Sequence, residues 1–337
     1  MTHDLNGMGL RRAPTRGLVS VIIPAHNAGA WIAETLASVR AQTYRDVETV
    51  VVDDGSSDAT AEVAESLGAA VIRTRGAGPG GARNAGIAAA RGEFLQFLDA
   101  DDLLTPAKVG RQVTVLDATG AEVAWEPFDY LVRASPNAEF NRGQRVCPEL
   151  GDDLAASLLS TRGFVQIGAM LIRRSRHSDC VWFPTARGAV EDIRYVVELA
   201  LAGATFVSSD VGQPGLLYRQ HGGPRYSTRP MVSFARGCAD NAIWAQSHWE
   251  EHGGLTAPRR AALADAYAFA ARQLAAHDPV AFEDVAARGL ALGAEFTSRL
   301  PTRVRLLARL VGYHRAERLA TRWRRIGRPD RSVGADT

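Results

Sequence analysis

The sequence predicts an α/β fold in which a mostly parallel central sheet is flanked by helices and followed by a helical C-terminal region. From Leu18 to about Leu98, short apolar runs alternate with stretches of helical periodicity, and this alternation is typical of βαβ units that build a parallel sheet. Beyond Met231 the short apolar runs disappear, and an alanine-rich helical periodicity takes their place.

The composition is that of an ordinary globular protein. Of the 337 residues, 46% are hydrophobic and 23% are charged, and the formal net charge of +2 gives no general attraction to nucleic acid. The three cysteines are odd in number and lie more than thirty residues apart, which excludes a disulfide framework and a CxxC zinc knuckle. The opening residues contain no apolar run of signal-peptide length, and no stretch is apolar enough to cross a membrane. We therefore expect a cytoplasmic protein.

Strands and helices alternate regularly through the first third of the chain. Each predicted strand is a short apolar run, and each predicted helix follows a turn rich in glycine, serine, aspartate or proline. The strands are predicted at 19–23, 47–52, 71–73 and 93–98. The helices are predicted at 30–41, from Ser56 or Ser57 to Leu67, from the glycine cluster at 76–81 to Ala90, and from Thr105-Pro106 to Leu116.

The pattern is less regular after Leu116. Prolines and a lack of apolar runs predict a loop-rich excursion at 126–151. Further helices are predicted at 152–159 and 191–201, further strands at 169–173, 205–208 and 216–219, and helix starts at Asp278-Pro279 and Pro301. We divide the chain into a flexible segment at 1–17, a domain at 18–230 with halves at 18–125 and 126–230, and a helical region at 231–337, with the boundary near Pro230.

Acidic side chains are concentrated directly after two of the predicted strands. Asp53 and Asp54 follow the second strand, and Asp99, Asp101 and Asp102 follow the fourth. Because ligands of an open parallel sheet collect at the carboxyl ends of its strands, we expect both clusters to face one crevice. A cation stabilises carboxylates at close range, and oxygen ligands favour Mg or Mn. A diphosphate bound through such a metal is the simplest interpretation.

Two other chemistries fit parts of this region. The glycine cluster at 76–81 matches G-x-G-x-x-G and precedes Asp99 by about twenty residues, which would suit a dinucleotide-dependent oxidoreductase. The match lies in the third βα unit rather than the first, and the additional carboxylates would crowd a dinucleotide pyrophosphate. Asp99 and Asp101 would also suit the nucleophile motif of an aspartyl-phosphate phosphatase, but the only lysine available as its basic partner is Lys108, in the adjacent predicted helix.

Four motifs occur in an order that resembles the inverting glycosyltransferases of family 2. They are VSVIIPAHN at 19–27, VVDDGSSD at 51–58, ARNAG at 82–86 and FLDADD at 97–102. The resemblance spans residues 18 to about 116 and continues more loosely, through Glu191-Asp192 and 218–221, to about residue 225. It implies a GT-A fold, in which a Rossmann-like nucleotide half and an acceptor half share one continuous sheet.

The resemblance assigns most of these residues to a nucleotide-sugar site. Asp54 is expected to accept hydrogen bonds from the base or ribose, Asp101 to be the principal metal ligand, and Asp99 to contact the ribose or the metal's waters. The implied nucleotide-sugar-binding residues are Pro24, Ala25, His26, Asn27, Asp54, Arg83, Asp99, Ala100, Asp101 and Arg219. The metal, Mn or Mg, is expected at Asp101, Asp99 and His221. His26 departs from the tyrosine frequent at its position in the family, and this departure leaves the identity of the base open.

Each assignment has a structural alternative. Asp54 could stabilise a turn, and Arg83 could form an ordinary ion pair. Arg219 and His221 could make contacts at a strand end without binding phosphate or metal.

Transfer to an acceptor also requires a base. In-line inversion needs a carboxylate on the acceptor side that takes the proton of the acceptor hydroxyl. Glu191-Asp192 opens a predicted helix and resembles the family's acidic motif. The resemblance makes Asp192 the catalytic base and Glu191 a catalytic residue that binds or orients the acceptor. Acidic residues also stabilise the first turn of a helix without any catalytic role.

These residues predict a metal-dependent inverting glycosyltransferase. It would move a hexose-type sugar from a nucleoside diphosphate, expected to be UDP, to a hydroxyl of a glycan, a lipid or another acceptor, as in polysaccharide biosynthesis. An alternative from another class is a nucleotide-sugar-binding scaffold without catalysis, which would need Asp54 and Asp101 but not Asp192.

The end of the chain is strongly basic. Residues 301–337 contain ten arginines against Glu317, Asp330 and Asp336, with apolar residues on one side of the predicted helix. A basic amphipathic helix can lie on an anionic membrane, and peripheral membrane contact through 301–337 would suit a lipid-linked acceptor. The same pattern also fits a helix that docks on its own protein and leaves its arginines in solvent.

Overall fold

The computed structural model describes residues 13–133, 135, 138–160, 163–175, 177–185, 190–221 and 231–326. The predicted boundary near Pro230 lies outside the described residues, as do 1–12 of the predicted flexible segment and 327–337 of the basic end. The division at 18–230 and 231–337 therefore stays a prediction.

Strands dominate the first two thirds of the chain, and helices the last third. The strands are β1 (Thr15–Ala25), β2 (Val47–Asp54), β3 (Ala70–Thr74), β4 (Gly92–Phe97), β5 (Leu103–Leu104), β6 (Val123–Trp125), β7 (Phe128–Val132), β8 (Asn141–Val146), β9 (Met170–Arg173), β10 (Phe206–Ser208) and β11 (Leu216–Arg219). The helices are α1 (Ile32–Arg40), α2 (Thr60–Ser66), α3 (Gly78–Ala89), α4 (Lys108–Thr119), α5 (Leu154–Leu159), α6 (Glu191–Leu201), α7 (Met231–Glu251), α8 (Ala257–Leu274), α9 (Pro279–Ala291), α10 (Ala294–Arg299), α11 (Thr302–Val311) and α12 (Tyr313–Ile326).

A seven-stranded sheet carries the predicted βαβ units. Its order is β10-β6-β9-β4-β1-β2-β3, and β1 pairs in parallel with both β2 and β4, as β2 does with β3. Only β9 runs against its neighbours, β4 and β6. The apolar runs of β1 and β2 are buried because helices cover both faces of such a sheet. The α/β fold with a mostly parallel sheet is confirmed.

The register of the central strands brings three loops to one edge of this sheet. Pro24 and Ala25 at the end of β1 lie opposite Val52 and Asp53 of β2. On the other side, Ile22 of β1 lies opposite Phe97, the last residue of β4. The loops that follow β1, β2 and β4 therefore leave the sheet side by side.

Two strands of a smaller sheet lie in the segment predicted to be loop-rich. This sheet has the order β5-β11-β7-β8, so the prediction of an irregular excursion at 126–151 was wrong for β7 and β8. Strand β8 is almost entirely exposed and has no apolar run, which removes the usual sequence signal. Its pairing with β7 is reinforced by Arg145, whose guanidinium donates to both oxygens of Asp129 at 2.8 and 3.3 Å.

Two predicted helix starts were displaced by tertiary contacts. Helix α4 begins at Lys108 rather than after Thr105, because the Thr105 hydroxyl donates to the carbonyl of Pro214 at 2.8 Å. Helix α2 begins at Thr60, and the side chain of Asp58 rather than that of Ser56 or Ser57 accepts from the Thr60 amide at 3.1 Å. The start at Asp278-Pro279 is confirmed, since the Asp278 side chain accepts from the Ala281 amide at 3.2 Å.

The described residues divide into two compact units. The first takes in those of Met1–Glu149, Phe164–Arg187 and Glu191–Gly223, and holds both sheets. The second takes in those of Leu150–Gly163, Gly188–Val190 and Pro224–Thr337 and is helical, with a core that includes the fully buried rings of Trp249, Tyr267, Phe282 and Phe296. In the described part of the chain, none of the helices combines the length and apolar content needed to cross a bilayer.

Helix α3 approaches β1 so closely that only glycine fits at one position. A Cβ atom added to Gly86 would overlap Cγ2 of Ile22. Ile22 is fully buried, so its side chain has no free space to move into. Gly86 therefore sets the distance between the helix and the sheet.

We expect Gly86→Ala to lower the free energy of unfolding by about 1–3 kcal/mol, because the added methyl group overpacks the contact with Ile22. The matched control is Gly110→Ala in the first turn of α4, where the nearest atom to the added Cβ is Thr43 Oγ1 at 3.7 Å. This control should keep or raise the stability, by up to about 1 kcal/mol, because alanine is the better helix former. Urea unfolding followed by circular dichroism measures both, and equal stabilities of the two variants would contradict the prediction.

Candidate active site

The loops after β1 and β2 are tied together at the edge of the main sheet. The Nδ1–H of His26 donates to the carbonyl of Asp54 at 2.9 Å. Asn27 adopts a left-handed backbone conformation, with φ of +51°, which asparagine tolerates better than most residues. Its side-chain oxygen accepts from the Ser57 amide at 2.8 Å. The predicted residues Pro24 to Asn27 and Asp54 are therefore brought together.

The carboxylate of Asp54 organises the glycine-rich turn that follows β3. Its Oδ1 accepts from the Thr74 hydroxyl at 2.7 Å and from the Ala77 amide at 2.8 Å, and its Oδ2 accepts from the Gly78 amide at 2.8 Å. Gly76 and Gly78 have φ values of +68° and +72°, which favour glycine. Because these amides bind Asp54, the turn does not present them to a dinucleotide pyrophosphate. The interpretation as an oxidoreductase motif loses its basis.

Arg83 of α3 joins two elements that are far apart in the sequence. Its Nη1 donates to Oε1 of Glu191 at 2.5 Å, and its Nη2 donates to Oδ1 of Asp99 at 2.8 Å. The arginine is 4% exposed. Burial acts to lower the pKa of Arg83, but Asp99, Glu191 and Asp192 outweigh it and raise the pKa above its ordinary value. The guanidinium therefore stays charged and holds the end of β4 against the start of α6.

The neighbouring residue Asn84 fixes the chain segment that precedes α6. Its amide group donates to the Phe183 carbonyl at 2.9 Å and accepts from the Phe183 amide at 3.0 Å. The Phe183 ring stacks on Tyr195 with centroids 4.0 Å apart and meets Phe97 edge-on at 5.0 Å. Asn84 lay inside the ARNAG motif and could have been chosen from it, whereas no signal in the sequence pointed to Phe183.

Asp99 is held from both sides. While Arg83 binds its Oδ1, its Oδ2 accepts from Nε2 of Gln166 at 3.1 Å. Gln166 is buried and also accepts from the Gly168 amide, so its orientation is fixed. Sequence reasoning missed Gln166, which lies in an ordinary apolar stretch.

Asp101 and Asp102 contact the end of β11 instead. Oδ2 of Asp101 lies 3.0 Å from Nε2 of His221, and Oδ1 of Asp102 accepts from the Arg219 amide at 2.9 Å. The His221 ring stacks on Trp31 with centroids 4.6 Å apart. The predicted pair of Asp101 and His221 is thus brought together, and Asp102 supports the loop.

The side chain of Arg219 packs beside this pair. Its guanidinium lies 4.8 Å from the ring centroid of Trp31 and 5.1 Å from that of Phe140, and Nη2 donates to Oε2 of Glu34 at 2.7 Å. Within the described residues, the buried Nε and Nη1 of Arg219 have no hydrogen-bond partner. The guanidinium thus keeps two hydrogen-bonding nitrogen atoms that no described residue satisfies.

In the part of the chain that the structure describes, no group of three or more His, Cys, Asp or Glu side chains is arranged to hold a metal ion. Asp101 lies next to His221, while Asp99 binds Arg83 and Gln166. Mg and Mn are usually bound by one or two carboxylates together with water and substrate phosphates. The donors present fit an ion that is held jointly by the protein and a diphosphate.

Asp192 is a half-buried carboxylate in the first turn of α6. Burial and the charges of Glu191 and Asp99 raise its pKa to about 6, although Arg83 and the Ile193 amide act in the opposite direction. Its Oδ1 accepts from that amide at 2.9 Å. A carboxylate with a pKa near neutrality can accept a proton from a hydroxyl and release it again at physiological pH.

Part of this region matches a known protein family. Residues 20–175 match the model of glycosyl transferase family 2. The chain contains a glycosyl transferase family 2 domain. Similar curated proteins include the succinoglycan biosynthesis protein ExoO of Rhizobium meliloti strain 1021, 40% identical over 117 residues, covering 34% of each chain. An uncharacterized glycosyltransferase of Nostoc is 36% identical over 149 residues, which are 42% of this chain and 46% of that protein. The chain thus spans a third to under half of the length of these relatives.

Several solved structures have the same fold as this chain. S. aureus TarS 1–349 in complex with UDP-GlcNAc superposes with a TM-score of 0.66 at 19% identity, covering 93% of each chain. The mannosyltransferase PcManGT of Pyrobaculum calidifontis, in complex with GDP-Man and Mn²⁺, gives a TM-score of 0.50 at 19% identity, covering 94% of this chain and 91% of that one. The predicted GT-A fold with a helical C-terminal region is confirmed.

We expect Arg83→Gln to lower the free energy of unfolding at neutral pH by about 3–5 kcal/mol, because it leaves Glu191 and Asp99 without their cation. Arg91→Gln is the control, since Arg91 is 63% exposed in its pair with Glu48 and its loss should cost about 1 kcal/mol or less. Adding Glu191→Gln to Arg83→Gln should restore part of the stability. Urea unfolding of the four proteins measures this, and a loss from Arg83→Gln no larger than that from Arg91→Gln would contradict it.

Proposed function

We propose that this protein is a metal-dependent inverting glycosyltransferase that moves a hexose-type sugar from a nucleoside diphosphate, with UDP as the expected nucleotide, to an acceptor hydroxyl. The observation that carries the proposal is the position of Asp192. A carboxylate with a pKa of about 6 adjoins the Arg83 ion-pair cluster. Residues 20–175 match glycosyl transferase family 2, and Asp101 within this range is paired with His221, which lies beyond it.

The proposed donor site lies along the loops after β1, β2 and β4. The exposed ring of His26 can stack on a base, and its tie to Asp54 fixes its orientation. Asp54 retains acceptor capacity, because three donors do not saturate a carboxylate with about four lone-pair sites. The UDP-GlcNAc complex of TarS, which has the same fold, supports a UDP-sugar as donor.

The leaving diphosphate needs positive charge. A divalent ion, Mn or Mg, held by Asp101 with His221 would neutralise the charge that develops on the departing diphosphate. Arg219 supplies a fixed cation next to this pair, with two donors that have no partner among the described residues. The Mn²⁺ in the PcManGT complex supports the metal dependence.

The acceptor half supplies the base. In the proposed step the acceptor oxygen attacks the anomeric carbon, the bond from that carbon to the diphosphate oxygen breaks with inversion, and the hydroxyl proton passes to the Asp192 carboxylate. Glu191 is fixed by Arg83 and cannot swing toward the proton. It therefore serves to position the start of α6 and the acceptor.

The acceptor is proposed to be a hydroxyl of a glycan or of a lipid-linked sugar, at the cytoplasmic side. The relative ExoO is named for succinoglycan biosynthesis, and this name supports a role in making a polysaccharide. The formal net charge of +2 is too small to attract nucleic acid, so we propose no nucleic-acid partner.

We expect Asp192→Asn to lower kcat by at least about 10²-fold while leaving the affinity for the nucleotide-sugar nearly unchanged, because only proton removal is lost. For the wild-type protein, kcat/KM should fall as the pH drops below about 6, since the base must be ionised. Glu198→Gln on the same helix, which removes a carboxylate paired with Arg194, should retain activity.

The measurement is the rate of nucleoside diphosphate release, with binding followed by calorimetry. Full turnover of Asp192→Asn would remove Asp192 as the base. Tight donor binding without hydrolysis or transfer in the wild-type protein would instead indicate a binding scaffold.

We expect chelation to abolish turnover, and Asp101→Asn to raise the Mn concentration for half-maximal rate at least about tenfold. The same variant should lose the Mn-dependent part of the rise in melting temperature that UDP gives to the wild-type protein by mass action. Asp46→Asn, which changes an exposed carboxylate, should behave as wild type. Full activity after chelation would overturn the metal dependence.

A further inference from the structure

Exposed apolar side chains are concentrated on the last two helices. In the described part of the chain ten large hydrophobic side chains are exposed, and five of them belong to the C-terminal hairpin formed by α11 and α12. They are Leu306 (54% exposed), Leu310 (83%), Val311 (37%), Leu319 (39%) and Trp323 (59%). Single exposed apolar residues are ordinary on protein surfaces, but a cluster of this size marks an interaction surface.

The hairpin does not need this surface for its own folding. Another set of residues, Val304 of α11 and Tyr313, Ala316 and Ala320 of α12, is buried. Tyr313 meets the Phe296 ring edge-on at 5.2 Å. On α11, Leu306 and Leu310 are one turn apart and point away from Val304, and on α12, Leu319 and Trp323 are one turn apart at the edge of the buried stripe to which Ala316 and Ala320 belong. The exposed side chains of both helices together form the outer face of the hairpin. The outer face of the hairpin is therefore surplus to the packing of the helical unit.

The same outer surface carries a strong positive charge. Residues 302–326 contain eight arginines and a single acidic residue, Glu317. Glu317 is buried and paired with Arg324 at 2.5 Å, and Arg318 pairs with Glu283 of α9 at 2.5 Å. Five others, Arg303, Arg305, Arg309, Arg315 and Arg322, form no ion pair with any carboxylate that the structure describes.

We propose that the outer face of the C-terminal hairpin binds an anionic lipid bilayer, with both helices lying in the interface. The leucines and Trp323 would enter the boundary between headgroups and acyl chains, and the unpaired arginines would bind lipid phosphates. Leucine and tryptophan side chains gain little from a nucleic acid. A second copy of this face would bring like-charged arginines together, which opposes a symmetric dimer. The inference stands on the hairpin alone and does not rest on the proposed glycosyl transfer.

The test uses the full chain and flotation with lipid vesicles. Wild-type protein should bind vesicles containing about one third phosphatidylglycerol at least tenfold more tightly than pure phosphatidylcholine vesicles, and salt should weaken the binding. Leu310→Asp should lower binding at least about tenfold, because it places a charge where an apolar side chain enters the interface. Val280→Asp is the control, since Val280 is 82% exposed on α9 of the same helical unit, and it should bind as wild type.

Two further variants test the charges separately. Each of Arg309→Gln and Arg315→Gln should weaken binding by about fivefold, which corresponds to ~1 kcal/mol per basic residue near an anionic surface. Circular dichroism verifies that all variants stay folded. Turnover with a soluble acceptor is measured separately, so that a failure of membrane binding can be distinguished from a failure of the proposed glycosyl transfer. Equal binding to both kinds of vesicle, or wild-type binding by Leu310→Asp, would overturn the proposal. So would a dimer in sedimentation that Leu310→Asp converts to monomer while no vesicle binds.

Discussion

The buried guanidinium of Arg83 is the interaction on which the rest of the candidate site depends. It binds Asp99, just after β4, and Glu191, at the start of α6, which lies 108 residues beyond Arg83 in the sequence. The arginine is nearly inaccessible to water, so its two carboxylate partners cannot be replaced by solvent without a large cost in free energy. Through this pair, the position of the nucleotide-side loop and that of the proposed base are set by one side chain.

The carboxylates of the two acidic clusters at the strand ends have different partners. Asp54 holds the glycine-rich turn, and Asp99 holds Arg83 and Gln166, so both act mainly on the protein itself. Asp101 is directed toward His221 and Asp102 toward the Arg219 amide. Carboxylates that look equivalent in the sequence are thus distinguished by the element that each one contacts. Asp101 is the one that lies beside a histidine, His221, with which it could share a metal ion.

The sequence predicted those parts of the fold that follow from local residue patterns and from the order of the elements along the chain. Apolar runs ended by acidic or glycine-rich turns predicted the central strands, and parallel pairing then placed the loops after β1, β2 and β4 together. Gln166 could not be found in this way, because its role depends on a contact with Asp99 across 67 residues. Strand β8 was missed because exposed residues fill it, and Thr105 failed as a helix cap because a distant carbonyl takes its hydroxyl. These three features were not predicted for the same reason. Each depends on a contact with residues distant in the sequence, and the local sequence does not show such contacts.

The distribution of charge argues for where the diphosphate of a donor would lie. Arg83 is already paired with two carboxylates, and Asp192 adds a third negative charge when ionised, so this side of the site repels an anion. On the other side, the Arg219 guanidinium pairs with the exposed Glu34 and keeps two donors without partners in the described residues, and Asp101 and Asp102 are the carboxylates that a metal ion would neutralise there. Arg133 adds a second guanidinium, 5.1 Å from the centroid of the same Phe140 ring that Arg219 covers. In the proposed function the diphosphate, with its metal, would therefore lie on the side of Arg219 and Asp101, which leaves the side of Asp192 for a neutral hydroxyl that has a proton to lose.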